Sequence, residues 1–256
     1  MNRAIHWKQS IIVLLTFLVA VYGRRILLDI IGSDFDSYGL RLLHYYLWWL
    51  IPVIIVSILL FGKDRFLEEL GLTASIKRGF SYAFLMTLPM FLGYALFGEF
   101  NDSETLSGFV KGSILPGFME ELLFRAFLFG LLFIRFGWGF LPSGLIGAFI
   151  FGLQHLYQGD TLMEALGVFG VTFAGALWFA WLYIEWDKNL WLVIFLHSLM
   201  NLYWSLFDVS ESGALGGQFA NTFRVITIVL SVYLTIRLCK ARHRFDVNKT
   251  NLFSNH

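Results

Sequence analysis

Apolar runs about twenty residues long dominate the chain, and short segments between them hold most of its charge. At ~1.5 Å of rise per residue, ~20 apolar residues in a helix cross the hydrocarbon of a bilayer. The pattern predicts eight membrane helices, at roughly 8–28, 42–61, 79–98, 115–136, 140–156, 163–184, 189–207 and 219–239. Irregular backbone cannot face lipid, so each span is expected to be helical or covered by neighbours. The stretch Lys63–Arg78 breaks the pattern. There Phe66, Leu67, Leu70 and Leu72 stand among Lys, Arg and Glu, which predicts a short amphipathic helix at the interface. No repeat and no low-complexity linker divides the chain. The expected architecture is therefore all-α: one polytopic membrane domain over residues 1–256, ending in a basic cytoplasmic tail over 237–256.

Composition supports this reading. Hydrophobic residues make up 57% of the 256 and charged residues only 14%, with a mean hydropathy of +0.68. A soluble domain carries about 25% charged residues. The first run follows Arg3 and Lys8 as a signal peptide would, but it ends Val-Ala-Val-Tyr-Gly-Arg-Arg without a cleavage pattern and is read as an uncleaved span. The single cysteine, Cys239, excludes an intrachain disulfide and any multi-cysteine metal cluster. Lys and Arg are asymmetric about the membrane. Thirteen fall in segments on the side of the N-terminus, and four, Arg24, Arg25, Arg41 and Lys111, on the other. Both termini are thus expected in the cytoplasm, with the acidic loops around Asp102/Glu104 and Asp208/Glu211 outside. The expected location is a bacterial or archaeal cell membrane, with the lipid bilayer and a membrane-anchored peptide or protein as partners and no nucleic acid.

Within this apolar background, Glu120 and Glu121 stand side by side, with Arg125 four residues on. Ionised groups at membrane depth cost a few kcal/mol each even on lenient scales, so they require partners and usually have a task. Glu121 and Arg125 share a helix face at i, i+4, whereas Glu120 is rotated about 100° away. Two other spans offer partners at the same spacing: Phe151 and His155, and His197 and Asn201. In the topology above, all of these groups fall in the outer half of the membrane. A carboxylate stripped of water is a stronger general base, and a His with an Asn amide can donate to a developing oxyanion. Water-dependent hydrolysis of a peptide bond inside the bilayer is the chemistry this set suits.

Met119-Glu-Glu-Leu-Leu-Phe-Arg125 resembles the EExxxR motif of the CPBP family, the CAAX-protease and bacteriocin-processing intramembrane endopeptidases. Phe151–His155 resembles its FxxxH motif and His197–Asn201 its HxxxN motif, in the same order and each on its own span. The likeness covers about residues 113–205, and eight spans are also similar to the prenyl-protein endopeptidase branch. The resemblance implies that Glu120 activates water together with His155. It further implies that His197 and Asn201 stabilise the oxyanion, while Glu121, Arg125 and Phe151 support the site. Ala126, where many members have Gly, is expected to affect packing alone. The family implies no metal; a metal-dependent alternative would use Glu120, His155 and His197 as ligands with an open fourth position.

Plainer roles exist for each residue. Glu121–Arg125 can be a buried ion pair, Glu120 a second partner of Arg125, His155 an interfacial side chain and Asn201 a helix–helix contact. His44 is expected in an interfacial aromatic belt, Arg224 to snorkel or meet a carboxylate, and Gly152, Gly167, Gly170 and Gly175 to permit close helix contacts. Rival protease classes lack their residues: the chain has no HExxH, no Gly-x-Ser-Gly and no aspartate in a predicted span. Two function classes follow. One is an intramembrane endopeptidase. The other is a non-catalytic immunity, chaperone or transport-accessory protein that binds a partner in the same polar pocket.

Overall fold

The computed structural model describes residues 5–32, 35, 37–207, 209 and 214–254. Arg3 of the charge count and Asp208 and Glu211 of the expected outer loop lie outside them. The fold is an all-α polytopic membrane protein, its helices α1 (Trp7–Ile31), α2 (Tyr38–Phe61), α3 (Phe66–Glu69), α4 (Ile76–Phe97), α5 (106–135), α6 (Phe140–His155), α7 (Leu162–Glu185), α8 (Leu190–Leu206) and α9 (Gln218–Ala241). Among the described residues six helices are long and apolar enough to cross a membrane: α1, α2, α4, α6 with its trailing turn, α7 and α9. The seventeen-residue α8 is a shorter apolar helix, and α5 carries the charged motif. All eight sequence-predicted spans therefore coincide with helix.

Two local expectations are corrected. Before α4 begins at Ile76, the stretch from Lys63 forms a single helical turn, Phe66–Glu69; Gly71 (φ +72°) then turns the chain where a Cβ would stand 2.3 Å from the Lys188 carbonyl. Glu69 does not face the interface but is buried, taking Arg65 and Arg135 as cations. The second correction concerns α5. It begins nine residues earlier than expected and winds as a π-helix from Glu121 to Arg135, each N–H reaching back five residues. Residues Glu121–Phe133 are all buried, so the wider turn spreads bulky side chains into neighbours on every side.

One end of the bundle gathers the chain termini. His6 N–H donates to the Phe136 carbonyl, and Trp138 Nε1 donates to Ser10 Oγ. Asp187 and Lys188, both left-handed (φ +60° and +57°), make the tight turn between α7 and α8, and Asp187 pairs with Arg78 and Arg242. The predicted basic tail is no free tail. Residues 237–241 complete α9, and the strap that follows folds back, Phe140 and Leu141 N–H donating to the Asn251 and Leu252 carbonyls. Fully buried Glu185 anchors it by accepting from the Asp246 and Val247 amides at 3.1 and 3.0 Å and from the Cys239 thiol at 3.2 Å. Cys239 is thus a donor rather than filler.

The opposite end holds the Asn101 amide on the Leu206 carbonyl and the Ala214 amide on Gln158 Oε1. Among the described residues, the Arg224 guanidinium donates to the Ala214 and Leu215 carbonyls and lies over Trp204. His44 accepts from Arg24 Nε and packs between Phe35 and Trp48, as an aromatic belt requires. Gly152 and Gly167 do permit close approach, to Phe169 and Leu215, but Gly170 and Gly175 face open space.

Replacing Glu185 by Ala leaves the Asp246 and Val247 amides without their acceptor, at a cost of about 1–3 kcal/mol. The expected result is a lowered unfolding temperature in detergent and faster tryptic cleavage at Arg242, Arg244 and Lys249; an unchanged digestion rate contradicts the anchoring role.

Candidate active site

Glu121 stands where α5 meets α8. Its carboxylate is fully buried on the first turn of the π-wound part of α5. Oε1 accepts from His197 Nδ1 of α8 at 2.8 Å, and Oε2 lies 3.1 Å from Arg125 Nε. The second contact is an ion pair by distance, although neither atom makes an aligned hydrogen bond. Aromatic faces complete the cation's surroundings: the Arg125 guanidinium sits 4.6 Å from the Phe151 ring centroid, 5.5 Å from Phe179 and 5.9 Å from Phe124. A desolvated cation over π faces gains about 2 kcal/mol or more in good geometry. This is the physical use of Phe151, four residues before His155 on α6.

Glu120 points away from that pair, as the one-residue rotation demands. Its side chain is 19% exposed against 0% for Glu121, so it reaches the open part of the pocket. Glu120 Oε2 stands 3.9 Å from His197 Nε2. This is too far for a direct hydrogen bond but within range of one shared water. With Nδ1–H committed to Glu121, the imidazole of His197 presents Nε2 toward Glu120. His155 is fixed by its own helix: its Nδ1 lies 2.7 Å from the Phe151 carbonyl, which can only accept, and among the described residues it makes no hydrogen bond or ion pair with Glu120 or His197.

Asn201 sits one turn beyond His197 on α8. Its Nδ2 donates to the Gly112 carbonyl at 3.3 Å, leaving a second amide hydrogen uncommitted. The approach of α5 to α8 depends on Gly117. A Cβ there would stand 2.2 Å from Ser198 Oγ, next to His197. Among the described residues, Glu120, His155 and His197 do not form a three-ligand group that could hold a metal ion. A cavity of about 290 Å³ lined by Phe133, Asp187, Lys188 and Arg244 lies at the termini end, apart from these groups.

Residues 102–203 match the family model described as Type II CAAX prenyl endopeptidase Rce1-like. That stretch of the chain is similar to this family. Neither a curated protein nor a solved structure matches the chain. The matched stretch begins before α5 and ends within α8, so it contains the three motifs and excludes α1, α2 and α4. Sequence reasoning paired Glu121 with Arg125 but missed its bond to His197, and missed Phe124 and Phe179 around Arg125. No spacing along one helix reports contacts made by another.

Arg125→Met removes the cation and strands a fully buried carboxylate, which costs about 3–5 kcal/mol. Thermal unfolding in detergent is expected to show that loss, and adding Glu121→Gln to recover much of it. Equal stability of Arg125→Met and the parent chain contradicts the pairing.

Proposed function

We propose that the chain is an intramembrane endopeptidase that cuts a membrane-anchored peptide or protein with a water activated by Glu120. The observation that carries this reading is the Glu120 carboxylate, partly open to the pocket and 3.9 Å from an imidazole whose other nitrogen is held by Glu121. The family match supplies the reaction class. Glu120, assisted by His155 Nε2, takes a proton from water as its oxygen attacks the scissile carbonyl carbon. Negative charge then develops on the carbonyl oxygen. His197, held at Nδ1 by Glu121, turns its Nε2 to that oxygen as one donor, and the free amide hydrogen of Asn201 is the second. Each such donor contributes about 10²–10³ in rate. The proton on Glu120 passes to the nitrogen as the C–N bond breaks, leaving a carboxylate and an amine. Glu121, Arg125 and Phe151 hold His197 and α5 in place. This reaction uses no metal.

Glu120→Gln keeps the shape and hydrogen-bonding size of the side chain but removes the base. It is expected to abolish processing while expression and membrane insertion remain normal. Cleavage at the parental rate would contradict the assignment and favour a partner-binding role for the same pocket.

The proposed orientation places the termini and most Lys and Arg in the cytoplasm. His155 ends α6 at the opposite end and Asn201 lies one turn beyond mid-helix His197, so the site opens toward the outer leaflet. A substrate prenylated in the cytoplasm would need the inverse. Single cysteines in the loop 101–107, in a Cys239→Ser background, should be labelled by an impermeant reagent from outside. Labelling only from inside reverses both the orientation and the accessible substrate.

A further inference from the structure

The domain match leaves α2 unassigned, yet α2 runs parallel to α5 in a register that three contacts fix. Lys111 Nζ lies 4.6 Å from the Tyr38 ring centroid, Phe124 packs edge-on to Trp49 at 6.5 Å, and Phe136 stacks on Phe61 at 6.4 Å. The partners are offset by 73, 75 and 75 positions. That register sets Glu120 level with Tyr45 and Tyr46, one turn from the Trp49–Phe124 contact. Both phenols lie within electrostatic reach of the Glu120 carboxylate and of Tyr157, which is exposed just past His155. Their rings are half-buried, Tyr45 against Trp49 at 4.8 Å and against Tyr46 at 5.2 Å. Among the described residues neither hydroxyl has a hydrogen-bond partner, whereas a phenol that buries its ring usually finds one.

We propose that Tyr45 and Tyr46 form a substrate-binding wall across from His197, their hydroxyls donating to backbone carbonyls of an extended peptide laid over Glu120. The proposal rests on the endopeptidase reading and adds what holds the peptide. A membrane segment must leave its helix before a peptide bond can be attacked, and its freed carbonyls then find no water in the hydrocarbon. Two fixed donors level with the general base answer that need. They bind backbone, so they set the strand's position with little dependence on its side chains.

The test uses the full chain in detergent and an internally quenched farnesylated peptide ending in a CAAX box. Tyr45→Phe and Tyr46→Phe keep the rings and remove only the hydroxyls. The double variant is expected to raise KM about tenfold with kcat within about threefold, as loss of equal ground-state and transition-state binding requires. An unchanged KM, or a fall in kcat at constant KM, overturns the wall; the latter would place the phenols on Glu120 itself. Contact is read separately from turnover. In the Glu120→Gln chain, p-benzoylphenylalanine at 45 or 46 should cross-link the uncut peptide, while the same group at lipid-facing Leu59 should not. Absence of an adduct at both positions overturns the proposal. Cleavage by Glu120→Gln would instead defeat the catalytic reading and leave the cross-link result standing on its own.

Discussion

A fully buried carboxylate in a hydrocarbon setting is the constraint around which this bundle is organised. Desolvating Glu121 is so costly that it must be met by a cation and a hydrogen-bond donor, and Arg125 and His197 are the groups that meet it. Each partner fixes something else. Arg125 brings Phe124 from its own helix, Phe151 from α6 and Phe179 from α7 onto its guanidinium. His197 brings α8 against α5, where Gly117 allows the backbones to meet. One charge thereby sets the relative positions of four helices. Removing it would leave each polar member without its reason to be buried.

The neighbouring carboxylate gains from this arrangement. Glu120 is spared the ion pair because Glu121 occupies it, and the one-residue rotation aims it into the less enclosed part of the pocket. A preorganised site costs little rearrangement at the moment of reaction, which is where enzymes obtain most of their electrostatic stabilisation. The far side of the bundle is built differently. Glu69, Glu185 and Asp187 use arginines and backbone amides to seal the end where the termini meet, and none of them approaches Glu120.

Much of this was legible in the sequence because the bilayer simplifies the problem. With no water to satisfy the backbone, apolar length alone located the helices, and i, i+4 spacing alone paired Glu121 with Arg125. The short helix expected in Lys63–Arg78 forms over one turn only, Phe66–Glu69: Gly71 turns the chain there, and Glu69 is drawn inward by Arg135, a partner 66 residues away. The same limit hid the Glu121–His197 bond and the aromatic surround of Arg125. The strap past α9 read as a tail because its basic residues are polar, whereas its docking depends on backbone amides that every sequence has. The π winding of α5 left no mark in the apolar pattern, since nearly every position in it is buried.

The central claim is that Glu121 holds His197 by Nδ1 so that Nε2 faces the Glu120 carboxylate across one water in the resting site. An experimental structure of the chain in lipid, at a resolution that shows ordered solvent, tests this most directly. The account predicts density within hydrogen-bonding distance of both Glu120 Oε and His197 Nε2, with His197 Nδ1 on Glu121. A Glu120 carboxylate turned toward lipid, or an imidazole bound elsewhere than Glu121, would contradict it.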